Sequence, residues 1–145
     1  MNQMQQLADR YVEVLDQRIG LDPQVTDDHV HFDTGPFHFL IPLHRGDPEY
    51  FHLMLFVAME GEAAREVLER ICSATTRKCK GAQLTVDEDR VVTASIEMVV
   101  ASSDCLPTVE HLQAVLPRAI GMLQHAVHQF LVAFELHGIA EASSD

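Results

Sequence analysis

The hydrophobic residues of this chain do not keep one period, and the order in which the period changes limits the folds open to it. Apolar positions recur at helical spacing first, then alternate in three successive runs. Helical spacing returns, two further alternating runs follow, and one long helical stretch closes the chain. The predicted order is α-β-β-β-α-β-β-α. A chain of 145 residues carrying that order can bury a two-layer core as a single domain. The pattern assigns the domain to residues 1–139 and a short polar tail to 140–145.

The first helix is predicted from Gln3 to Ile19. Met4, Leu7, Ala8, Tyr11, Val14 and Leu15 share one stripe, which Arg18 breaks. Gly20 suits a left-handed cap, and Pro23 blocks any continuation. From His29 onward, Val30 and Phe32 alternate with His29, His31 and Asp33, and Phe37, Phe39 and Ile41 alternate with His38, Leu40 and Pro42. A two-residue turn at Thr34-Gly35 would set Phe32 opposite Phe37 and His31 opposite His38. The next run, Tyr50 to Met59, is apolar on both faces: Leu53, Leu55 and Val57 on one, Met54, Phe56 and Ala58 on the other. Such a strand needs cover on both sides.

The second helix, from about Glu62 to Lys78, places Ala63, Ala64, Val67, Leu68, Ile71 and Cys72 on one stripe. Its acidic start and its basic end at Arg77, Lys78 and Lys80 suit the helix dipole. A hairpin follows, Gln83 to Asp87 and Val91 to Ala101, turned by Glu88-Asp89-Arg90. Thr108 is the expected N-cap of the last helix, which should run to about Leu136 and stop at Gly138. Leu112, Leu116, Ile120, Leu123, Val127 and Phe130 form its main row, and Val115, Ala119, Met122 and Ala126 widen it. Pro117 is expected to kink or divide the helix, because its ring clashes with the carbonyl of Gln113.

Asp and Glu number 22 against 10 Lys and Arg, a formal charge of −12. That field repels nucleic acid and anionic membranes and favours basic partners. The opening Met1 to Gln6 lacks the basic start and apolar run of a signal peptide, and no apolar run reaches spanning length. A cytoplasmic protein is expected. Cys72, Cys79 and Cys105 make an odd set without a C-x-x-C pair, which fits reduced thiols. Cys79, between Lys78 and Lys80, is the most reactive thiol by that environment.

Nine histidines are the chain's other chemical resource. His29, His31 and His38 share a strand face in the expected register and are the candidate metal ligands, with Asp33 as a fourth group. His125 and His128 lie three apart on the last helix without the glutamate of an H-E-x-x-H site. No glycine pattern marks a phosphate cradle, and no nucleophile has an adjacent base. The sequence thus assigns no catalytic residue and no cofactor.

The layout resembles the YbjN-like family, a bacterial group labelled as candidate sensory-transduction regulators, and the class I type III secretion chaperones of the CesT/Tir-chaperone type. The resemblance rests on Leu7–Ile19, the strands Phe37–Leu43 and Tyr50–Met59, the helix Ala63–Cys72, and the strand, acidic turn and strand of 83–92 before the helix opening at Thr108. It implies an α+β fold, a two-layer sandwich of a twisted antiparallel sheet with helices packed on it. It also implies a homodimer with a non-enzymatic role in binding other proteins.

The leading functional expectation is a chaperone-like adaptor that homodimerises and binds a basic client, nucleic-acid-binding or DNA-repair proteins being one such class. The residues expected at a partner or dimer interface are Leu53, Leu55 and Val57 on the two-faced strand and Val115, Ala119, Met122 and Ala126 on the last helix. The rival expectation is a metal-dependent enzyme or sensor using His29, His31 and His38.

Overall fold

The computed structural model describes residues 2–144; Asp145, the last residue of the expected tail, lies outside them. Helix α1 spans Gln3–Val12 and runs on as π-helical turns over Glu13–Ile19. Strands β1 (Gln24–Val25), β2 (His29–Thr34), β3 (Phe37–Pro42) and β4 (Tyr50–Ala58) follow. Then come α2 (Arg65–Lys78), β5 (Gln83–Val86), β6 (Val91–Val99) and α3 (Val109–Ser144). The strands form one antiparallel six-stranded sheet in the order β1-β2-β3-β4-β6-β5. The predicted α+β order holds, with one short edge strand, β1, added to it.

Local chemistry fixes the ends of the helices. The Asn2 side chain accepts from the Gln5 amide at 2.8 Å and starts α1. Its far end closes at Gly20 (φ 89°), where the amides of Gly20 and Leu21 both donate to the Leu15 carbonyl. The widened π turns there carry Val14 and Leu15 into the core, fully buried. Thr108 caps α3 as expected, its hydroxyl accepting from the His111 amide at 3.1 Å.

The β2–β3 hairpin departs from the expected register by two residues. Thr34 pairs with Phe37, so the turn is Gly35-Pro36, and Phe32 pairs with Phe39. A turn at Thr34-Gly35 would need the Pro36 amide as the donor that closes it, and proline has none. Gly35 (φ 59°) takes the left-handed position and Pro36 moves into the turn, out of the ladder. Because the shift is even, no side chain changes face. The Phe32 and Phe39 rings stack with centroids 5.1 Å apart.

All three helices serve one face of the sheet. That face carries Val30, Phe32, Phe39, Ile41, Phe51, Leu53, Leu55, Leu84, Val92, Ala94 and Ile96, all buried. Leu7, Tyr11 and Leu15 from the first helix pack on it with Leu68 and Cys72 from α2 and Leu112, Leu116, Leu123, Val127 and Phe130 from α3. Two polar links join the layers: Gln124 donates to Thr34 at 2.9 Å, and the Thr76 hydroxyl accepts from the Leu84 amide at 2.9 Å.

Helix α3 differs from expectation at two points. Pro117 sits inside one continuous helix of 36 residues, so it does not divide it. The proline is solvent-exposed, so the Gln113 carbonyl it cannot reach can be hydrated, while Leu112, Leu116 and Ile120 are buried on the core side. Nor does Gly138 stop the helix. It continues through residues 140–144, the segment expected as a tail, and leaves Leu136 and Ile139 at 60% and 57% exposure. No helix among the described residues is long and apolar enough to cross a membrane.

Candidate protein-binding surface

The alternation of β2, β3, β4 and β6 gives the sheet a second face, and no helix among the described residues covers it. The strand register lays its side chains out in rows. One row runs His31, Leu40, Met54, Ser95, Gln83; the next runs Asp33, His38, Phe56, Thr93, Thr85. Tyr50 and Val99 pair at one end of the long strands, Ala58 and Val91 at the other. Leu40, Met54 and Phe56 form an apolar centre that is half-buried by its neighbours, and Val99 at the margin is 68% exposed.

Histidine–carboxylate pairs surround that centre. The Nδ1 of His38 bonds to the Asp33 carboxylate, and the Nδ1 of His29 lies 2.7 Å from Asp28 Oδ1. His52 Nε2 lies 3.4 Å from Glu97 Oε1, and its ring stacks on His44 with centroids 5.9 Å apart. Burial pushes the His52 imidazole below its ordinary pKa; Glu97 pulls the other way, and His44 adds to the lowering. The net effect favours the neutral imidazole. The Tyr50 hydroxyl donates to Glu97, and this bond, with burial and the carboxylate's charge, raises the phenol. Hydrogen bonds from His29 and Thr26 hold Asp28 low. The strands contribute no lysine or arginine to this face.

The predicted interface residues lie elsewhere. Leu53, Leu55, Ala119 and Ala126 are sealed in the chain's own core, at or below 1% exposure. Val57, Val115 and Met122 are partly buried against that core. The sequence correctly gave β4 two apolar faces, but it chose the wrong one as spare. The helices take the Leu53–Leu55 side, where the side chains meet α3, and leave Met54 and Phe56 outward. The alternation alone is symmetric between the two faces. What discriminates is the company of β2 and β3, whose outward residues include His29, His31, Asp33 and His38.

The expected histidine trio does not assemble. Asp33, not His31, stands opposite His38, and His31 faces Leu40. The His29 and His31 rings lie against one another at 5.3 Å, and His29 and His38 each engage a separate carboxylate. No group of three or more His, Cys, Asp or Glu among the described residues is placed to hold a metal ion. Cys72 is buried, as its place on the apolar stripe implies, while Cys79 differs from expectation. Burial raises the Cys79 pKa despite the flanking lysines, and it raises Cys72 to about 11, with the charge of Glu69 adding to the effect. Neither is activated. Cys105 is exposed.

No family model matches the chain, and no curated protein matches it. Among solved structures, YbjN from E. coli, described as a candidate transcription regulator, is similar over 90% of this chain and 93% of its own. The TM-score is 0.65 at 13% sequence identity. The HopA1–SchA chaperone–effector complex is similar over 86% of this chain and 96% of the matched chain, with a TM-score of 0.55 at 12% identity. The chain thus has a YbjN-like, secretion-chaperone-like fold, as its sequence layout predicted.

Proposed function

We propose that this protein is a non-enzymatic, chaperone-like adaptor that pairs with a second copy of itself and holds a segment of a client protein. The observation that carries the reading is the uncovered sheet face with Leu40, Met54 and Phe56 at its centre. An apolar patch of this kind on a domain with a complete core of its own is a surface for docking. The similarity to a chaperone–effector complex and to a candidate regulator supports a binding role for the fold.

The chemistry of the face favours self-pairing. Asp33 bonds to His38, and Glu97 is paired with His52 and bonded to Tyr50, so neither carboxylate would be left without a polar partner when a second copy covers the face. The chain as a whole, at a formal −12, favours a basic client. Nucleic-acid-binding and DNA-repair proteins carry that charge, and an acidic adaptor would compete with nucleic acid for their basic surfaces without contacting nucleic acid itself. The protein acts in the cytoplasm in this reading. Co-purification with mass spectrometry over a salt series tests it. A co-purifying basic protein released by rising salt is the expected result; retention of free nucleic acid alone contradicts it.

A further inference from the structure

A second concave surface lies away from the sheet, where the start of α2 meets the overhanging end of α3. Its floor is apolar and small: Ala63, Ala64, Val67, Phe134 and Gly138. Its rim carries three carboxylates, Glu62, Glu135 and Glu141, around a cavity of about 560 Å³. No lysine or arginine lines it. His137 lies at the rim with its Nε2 3.1 Å from Glu141 Oε1. Arg90 donates to the Gly61 carbonyl at 2.6 Å, so it is tied to the backbone beside Glu62. Leu136 and Ile139 are exposed on the same overhanging end of α3 but do not line the groove.

We propose that this groove seats a short basic segment of a partner protein. One aliphatic or aromatic side chain of that segment rests on the Ala63–Val67–Phe134 floor, and its flanking Lys or Arg residues face Glu62 and Glu135. Two features select this occupant. The rim carries no lysine or arginine, so an acidic segment gains nothing from it. Ala63, Ala64 and Gly138 are small enough to let a backbone approach, and the groove is open to solvent, which suits a chain segment better than an enclosed small molecule. The chain's own basic run, Arg77 to Lys80, ends α2 and lies a helix length away, about 21 Å, from the groove at its start. The inference rests on the adaptor reading and names its client's chemistry.

The test is a ¹⁵N–¹H NMR titration of the full chain with a synthetic amphipathic peptide of leucine and lysine, and with its leucine–glutamate counterpart. The lysine peptide should shift resonances of Ala63, Ala64, Val67, Phe134 and Gly138, with affinity falling as salt rises. The double variant Glu62→Lys/Glu135→Lys should bind at least about tenfold more weakly. Gly138→Leu should block the groove without disturbing the fold, because a Cβ there meets no atom within 4 Å. Equal binding of the glutamate peptide, shifts centred on Met54 and Phe56, or no shift with the lysine peptide would overturn the proposal. Loss of self-association in the double variant would also overturn it, by giving the groove to a second copy. A wild-type protein that stays monomeric while the lysine peptide still maps to the groove would remove the homodimer and leave this site standing.

Discussion

Leu55 and Phe56 are adjacent on β4, yet they belong to surfaces with different duties. Leu55 is fully buried beneath the helices, among Phe39, Ala94 and the α3 row. Phe56 points the other way, between His38 and Thr93, in a layer with no helix above it. The inner face is closed by the chain's own helices and accounts for stability. The outer face carries no helix among the described residues and, in the proposed reading, is the docking side. A strand that is apolar on both sides is therefore a division of labour, and each side fails differently when altered.

The largest expected effect comes from breaking the inner face. Leu55→Glu should abolish the cooperative thermal transition, because it buries an unpaired carboxylate in the centre of the core. Leu55→Ala, a milder cut at the same place, should cost about 2–5 kcal/mol in denaturant unfolding. On the outer face, Phe56→Glu should leave stability within about 1 kcal/mol of the parent by the same measurement, yet separate the two copies. If both glutamate variants unfold, the distinction between the faces is lost.

A smaller effect separates the faces by pH. The folded pKa of His52 lies below its ordinary value, so the unfolded chain takes up that proton first. Its contribution is complete above the ordinary imidazole pKa of about 6.5 and erodes as pH falls from there through the lower folded value. Protonation also places charge on the outer face beside Glu97, Tyr50 and His44. Sedimentation at pH 7.5 and pH 5 should show weaker self-association at the lower pH, and His52→Gln should flatten that dependence. The smallest effect serves as a control away from both faces. Gly138→Ala, in open space on an exposed helix, should raise unfolding stability by about 0.5–1 kcal/mol and leave self-association unchanged.

Much of the fold was legible because it follows from period. The stripe of Leu7, Tyr11 and Val14, the alternation of β2 and β3 and the row from Leu112 to Phe130 each dictate an element and its buried side. Turn register was not legible to the same degree, since it depended on the missing amide of Pro36, a detail of one atom. The length of α3 was hidden too. Gly138 reads as a stop, but a helix already propagating from a long packed segment crosses one glycine at a cost of about 1 kcal/mol. The candidate surface was half visible. The sequence shows that β4 has two apolar faces and cannot show which one the helices choose, because helix docking is a tertiary event. The groove between α2 and α3 was not legible, although the apolar character of Ala63, Val67 and Phe134 was. Its far wall exists because α3 runs past its expected end and sets His137, Gly138 and Glu141 beside Phe134, across from Ala63 and Val67.

The central claim is that the outer sheet face is a docking surface rather than inert exterior. Light scattering of the wild type and of Phe56→Glu across the micromolar range tests it most directly, with circular dichroism to confirm an unchanged fold. The account predicts a wild-type mass of two chains that falls to one chain in the variant. A wild type of one-chain mass at every concentration, or a variant that stays paired, would contradict it.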